Sequence, residues 1–487
     1  MDPANSDFDA TGIMYARAFY DPLLATAADG SSRPYLAESV THNPDYTVWT
    51  IVARAGVTFH DGTDFDANAM AANFHAHLAS PITGAALDPM VDDVIVVGPQ
   101  AVEIRMKSPW VPFDSYLCGW VGGQFAYMAS PKAIAGGSLG DHPVGTGPFV
   151  FGGWEPNQHM TGTRNGNYWR SGMPYVDSVT FRPMPDEQER ANAMLAGDID
   201  AMHTTDVSHY LEARAGRGFS YVDNLRGEVG EPDQQFLMVN TRKAPYDDLR
   251  LRQALAYAID TTTYNRFANQ GVTPVDFSPF ARGTSYYSDN GYPRYDLAKA
   301  KALVADYVAE KGGPVTIDLG IPGGNSVNTT EMNAMAEMFR RAGFVVREQQ
   351  VLQAEYILKA LQGDYGLFFW RQFGSTDPDQ NFNWWSSTMV GPEGGISLNL
   401  SRNADPQIDR ALSTGRSDPD PAARTAAYRA ISERLDVDLP FLWNNRALWA
   451  VVAGPNLANY NSYRLPDGST GLGMKVGVFP IVNAWLT

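Results

Sequence analysis

From Phe368 to Asp379 the chain runs Phe-Phe-Trp-Arg-Gln-Phe-Gly-Ser-Thr-Asp-Pro-Asp, an aromatic and charged stretch suited to holding a small molecule. Trp370 and Phe373 offer flat apolar faces. Arg371 offers a planar fork that meets a carboxylate or sulfonate on a ligand, or else pairs with a surface acid. Further along, Trp384 and Trp385 with Asn381 and Asn383 beside them suit a wall for sugars or glycosides, held by stacking and neutral hydrogen bonds. Neighbours on an extended chain point to opposite faces, so one of the two tryptophans is expected to pack inward.

Residues able to drive a reaction do not assemble in the same way. All eight histidines lie at or before His209. His75 and His77 are two apart on a predicted helix and face different ways, which is poor spacing for zinc. The sequence has no HExxH, no GxSxG elbow and no Walker loop. Gly145-Thr146-Gly147 runs into Pro148 rather than completing a dinucleotide fingerprint. Two carboxylates at a suitable separation can cleave a glycosidic bond, but nothing in the sequence selects a pair. Cys118 is the only cysteine, which excludes an internal disulfide and a thiolate metal cluster and suits a small buried residue. A binding protein without a cofactor is expected, not an enzyme.

The elements that must position these side chains follow from periodicity and capping. Asp66 is a plausible N-cap for a helix through Leu78, with Met70, Phe74 and Leu78 on one face. Asp186 and Glu189 read as a capping-box variant before a helix closed by Gly197. Asp247 or Asp248 can cap LRLRQALAYAID, Asp296 begins LAKAKALVADYVAEK, and another helix is expected from Asp420 or Pro421 to about Leu435. Met332, Met335, Met338 and Phe339 share a helix face read as core rather than as an adaptable binding surface. Strand signals alternate with these helices, so the fold class is mixed α/β, and 487 residues predict several domains. A formal charge of −17 argues against nucleic acid and against an anionic membrane surface. No apolar run reaches the length of a membrane span, and no signal-peptide pattern is found.

A series of short motifs in fixed order resembles the family 5 extracellular solute-binding proteins, the receptors of peptide, nickel and oligosaccharide ABC importers. The motifs include Tyr20-Asp21-Pro22-Leu23, Trp49-Thr50-Ile51, Gly56-Val57-Thr58-Phe59, the VGTGPF turn at 144–149, NYWRSGMPYVDSV and Gly197-Asp198-Ile199-Asp200. The resemblance implies a periplasmic-binding-protein type II-like fold, with two lobes closing on a ligand about a hinge. It assigns 1–22, 148–236 and 456–487 to lobe I, 23–147 to a smaller inserted domain and 237–455 to lobe II. It also implies a partner ABC permease, an extracytoplasmic and lipid-anchored location, and a monomer. In the family a first strand usually precedes the Asp-Pro now at Asp2-Pro3, so the lobe I sheet is expected to lack an edge strand.

The same resemblance puts the ligand segment at 368–379. In peptide-binding relatives a Trp there is followed three residues later by an Asp that grips the peptide's ammonium. Here that place holds Phe373, or Gly374 if the alignment is made on Pro378, so the acid is missing. Asp377 and Asp379 are possible substitutes, although Asp-Pro-Asp is also ordinary turn chemistry. The departure favours a ligand such as a sugar or glycoside over an amine-anchored peptide. Trp443 and Asn444 stand where relatives place an aromatic cleft residue, and Phe8, Trp120 and Phe125 are weaker candidates from the first lobe and inserted domain.

Overall fold

A computed structural model of the chain describes residues 1–487 other than 7, 121–122, 216–217, 226–232, 283, 289–290, 324–325 and 373–375. The aspartates read as caps do that work. The side chains of Asp66, Asp186, Asp248, Asp296 and Asp420 each accept a hydrogen bond from a first-turn N–H of the helices Ala67–Ala79, Glu187–Ala196, Leu249–Ala258, Leu297–Lys311 and Pro421–Asp438. Each satisfies a donor that the helix itself leaves unpaired. The methionine helix is Ser326–Ala342, and Met332, Met335, Met338 and Phe339 are all buried.

Two large hydrophobic cores organise the molecule. The second surrounds a mixed five-stranded sheet in the order Val345–Val351, Thr316–Pro322, Leu367–Gln372, Gln234–Val239, Phe441–Arg446. The first three of these strands are parallel neighbours, and the last two add antiparallel. The first core runs without a break from the N-terminal helix Ala10–Phe19 into an antiparallel four-stranded sheet made by Ala37–His42, Val48–Ala53, Ala101–Met106 and Val91–Val96. It continues through Phe149 and Met160 to Val478 in the tail. Residues expected in lobe I and in the inserted domain therefore share one core. We call the structures built on these cores the first and second bodies.

Two three-stranded sheets complete the first body, one from Phe149–Glu155, His159–Arg164 and Ser178–Phe181, the other from Ala201–Thr204, Ala450–Ala453 and Ser220–Asp223. The edge strands Ser178–Phe181 and Ala201–Thr204 both line a groove of about 680 Å³. Strand Ala450–Ala453 pairs with Ala201–Thr204, so the chain returns to the first body between Arg446 and Ala450, earlier than the expected 455.

The glycines of the VGTGPF turn are required by contact. A Cβ on Gly145 would lie 2.3 Å from the Phe19 carbonyl oxygen, and one on Gly147 would lie 2.4 Å from the Phe19 carbonyl carbon. The turn presses its backbone against the end of the first helix. Nearby, three of the sequence motifs meet at Asp21, which is buried. Its carboxylate accepts hydrogen bonds from Tyr168 Oη at 3.0 Å, Trp169 Nε1 at 2.8 Å and Thr146 Oγ1 at 3.1 Å. Burial pushes its pKa up to about 6 in spite of those donors.

Candidate ligand cleft

The chain crosses between the bodies twice, after strand Ser220–Asp223 and after strand Phe441–Arg446. Asn224 ties the crossings together. Its Nδ2 donates to the Ala447 carbonyl at 2.9 Å, and its Oδ1 accepts from the Trp449 N–H at 2.8 Å. Ala447 N–H in turn donates to the Asp233 carbonyl at 2.8 Å.

Beside the crossings, side chains from both bodies converge. Trp449 is buried, its ring 6.0 Å from that of His203. Arg371, from the second body, lies with its guanidinium carbon 5.2 Å from the Trp449 ring centre. Burial lowers the Arg371 pKa, opposed by Asp233, Glu331 and Glu187 nearby. Among the described residues the Arg371 side chain makes no hydrogen bond and no ion pair. Glu187 accepts from Thr204 Oγ1 at 3.0 Å and pairs with Arg190 at 2.5 Å. Glu331 is buried and its carboxyl is pushed up to about 7 by that burial, against the opposing charge of Arg371. The His203 pKa is lowered, first by burial and then by Arg190. The arrangement offers a cation stacked on a ring, flanked by acids, which suits the recognition of a charged or zwitterionic solute.

The other expected ligand residues lie elsewhere. Trp370 is half-buried and stacks on Tyr356 at 5.7 Å, on the helix-covered side of the second body's sheet. Phe373 falls outside the described residues. Asp377 accepts from Arg424 Nη2 at 2.8 and 2.7 Å and caps the short helix that follows. Asp379 is wholly buried. It pairs with Arg416 Nε at 2.9 Å and accepts from Trp110 Nε1 at 2.9 Å and Tyr116 Oη at 3.0 Å. Both acids thus have protein partners.

Trp385 is buried against Phe280 in the second core, whereas Trp384 is half-exposed, so one of the pair packs inward. Trp443 and Asn444 are buried too, Trp443 against Phe236 at 5.3 Å in the second core. Trp449, beyond the end of strand Phe441–Arg446, lies in the first core instead. Trp120 donates to Thr26 at 2.9 Å and carries the Arg17 guanidinium over its ring at 4.1 Å. Phe125 and Phe8 lie in the first core, near Tyr116 and Tyr127 respectively.

Three residues at the cleft, Trp449, His203 and Glu331, carried no expectation from sequence. One signal was available for Glu331. It sits four residues before Met335, on the buried stripe of a helix, where an acid is out of place without a purpose.

Comparison with known proteins agrees with this architecture. Residues 32–392 match the family model for bacterial extracellular solute-binding proteins, family 5 (middle). The chain is 28% identical over 480 residues to the nickel-binding periplasmic protein of Escherichia coli K12, covering 94% of this chain and 89% of that protein. It is 24% identical to the glutathione-binding protein GsiB of Pectobacterium atrosepticum, over 96% of this chain and 88% of that one. Among solved structures, the binding protein AgaA in complex with agropinic acid superposes with a TM-score of 0.85 at 23% identity, covering 100% of this chain and 95% of that one. The DppA protein of Helicobacter pylori in complex with the peptide STSA gives 0.85 at 20%, with the same coverage. With more than half its length matched and the two-body architecture in place, the chain belongs to the family 5 bacterial extracellular solute-binding proteins.

Proposed function

We propose that this protein is the extracytoplasmic solute receptor of an ABC importer, and that its solute is a small polar molecule bearing an anionic group which Arg371 takes. The two bodies close on the solute and the closed form delivers it to the permease. In this reading lobe I comprises 1–22, 148–236 and the tail after the second crossing, residues 23–147 are an insertion in it, and the second body is lobe II. The protein works as a monomer held at the membrane by a lipid.

Arg371 is the observation that supports the anionic group. Four other arginines are matched within the protein. Arg416 meets Asp379 and Arg424 meets Asp377, while Arg252 and Arg402 each donate to several backbone carbonyls. The Arg371 side chain rests on the Trp449 ring, with acids nearby but none of them within ion-pair distance among the described residues. A guanidinium with no acceptor on the protein is open to an incoming carboxylate, which supplies two of them. Glutathione, peptides and agropinic acid, the solutes named for several relatives, all carry carboxylates.

A thermal-shift screen of protein refolded to strip carried-over solute tests this, with organic acids and di- to pentapeptides in one arm and neutral sugars and glycosides in the other. A solute at about 100 times its Kd stabilises by about 2.7 kcal/mol. Hits are expected in the anionic arm, and Arg371→Met should weaken them by tenfold or more while the ligand-free melting temperature holds. A response confined to neutral compounds, or affinity indifferent to Arg371→Met, overturns the reading.

A further inference from the structure

One polar contact between the two bodies involves none of the cleft residues. It joins the segment around Trp110–Tyr116 of the first body to Asp379, Gln380 and Arg416 of the second. Trp110 Nε1 donates to Asp379 Oδ2 at 2.9 Å, and Tyr116 Oη donates to the Asp379 carbonyl oxygen at 2.7 Å and to Oδ2 at 3.0 Å. The backbone takes part as well. Val111 N–H donates to the Arg416 carbonyl at 2.9 Å, and Gln380 Nε2 donates to the Ser115 carbonyl at 3.2 Å. The Arg416 guanidinium carbon lies 5.1 Å from the Trp110 ring centre. Trp110, Tyr116, Asp379, Gln380 and Arg416 are all buried.

We infer that this cluster is a closure contact, in which Trp110 and Tyr116 bias the two bodies toward the closed form and so set the receptor's affinity without touching the solute. Trp110 and Tyr116 belong to the first core, and no residue of the second core joins that core. Rotation of one body against the other about the two crossings must therefore part this contact.

The cluster is built to part cleanly. Asp379 and Arg416 both belong to the second body and pair with each other through Nε at 2.9 and 3.1 Å. When Trp110 and Tyr116 leave, the carboxylate keeps its counter-charge and takes water in place of the two donors. No charge is stranded, so opening costs a few hydrogen bonds and some aromatic packing rather than a bare buried ion. A solute binding to a form that is only partly populated has its apparent affinity reduced by that fraction. Contacts that favour closure therefore tighten binding of every solute the cleft accepts.

This inference rests on the two-body receptor reading, and the test separates the two. Tyr116→Phe removes one hydroxyl and keeps the ring in the first core. Gln380→Ala removes one donor from the opposite side and leaves that core alone. Small-angle scattering on solute-free protein should show the radius of gyration rising in both variants, with the open-to-closed ratio increasing about tenfold for Tyr116→Phe, equivalent to about 1.4 kcal/mol. The best hit of the thermal screen should bind both variants more weakly, by a similar factor across chemically different hits. Unchanged scattering and unchanged affinity, with only a lower melting temperature, would mean the cluster is ordinary packing and would sink the inference. A wild-type protein whose scattering does not respond to its best hit would instead remove the two-body receptor reading.

Discussion

Asp21 shows how a family motif works at the level of one carboxylate. Three donors from Thr146, Tyr168 and Trp169 converge on it, yet burial outweighs them and holds its pKa near 6, above the ordinary 3.8. Because the folded-state pKa is raised, the native form binds the proton more tightly than the unfolded form does. Asp21 therefore adds stability as pH falls through about 6, and the gain levels off below about 3.8, amounting to on the order of 2–3 kcal/mol from this group. Asp21→Asn should flatten the rise in melting temperature between pH 7 and pH 5. An unaltered slope would show that the pH dependence arises elsewhere. At this scale the sequence was a partial guide to the cleft. Arg371 was legible as a fork for an anion, with a solute group and a surface acid left as alternatives. The tryptophans were not, because burial of a ring depends on which face of which element it occupies. Trp443 and Trp449 lie six residues apart on either side of a crossing that no local pattern reveals.

Elements were more readable than side chains. Aspartate caps, apolar stripes and glycine stops are local physics, and the helices from Ala67, Glu187, Leu249, Leu297 and Pro421 begin where those signals put them. The VGTGPF turn was legible as a turn but not for its cause, since the cause is the carbonyl of Phe19, more than a hundred residues earlier. Gly147→Ala should cost about 3 kcal/mol or more, because the clash is with backbone that cannot rotate away. Chemical denaturation of the variant measures this, and a loss under about 0.5 kcal/mol would show that the contact relaxes. Gly136, whose Cβ would meet nothing within 4 Å, is the matched control, and Gly136→Ala should be near neutral.

For the whole molecule, the resemblance of the motifs gave the two-lobed plan, while the exact handover between bodies came only from strand pairing. Ala450–Ala453 completes the sheet with Ala201–Thr204 and Ser220–Asp223 through partners more than two hundred residues away, a long-range choice that local sequence does not encode. Two separate cores joined by two crossings also shape the thermodynamics. Heating the solute-free protein should give a calorimetric enthalpy larger than the van't Hoff value, since the bodies need not melt together. A solute bridging both should bring the ratio toward one. A ratio of one in both states would mean that the crossings and the Trp110–Asp379 contact already couple the cores fully.

The lone thiol has a practical consequence. Cys118 is buried in the first core and burial pushes its pKa up to about 11, so at neutral pH it is neither accessible nor nucleophilic. A cysteine added at an exposed position, such as Leu352 on the second body, is then the single site that maleimide dyes will label without any native residue being removed. With an environment-sensitive dye at the lip where the bodies meet, the native scaffold becomes a reagentless optical sensor, whose signal would turn on with whichever solute closes it.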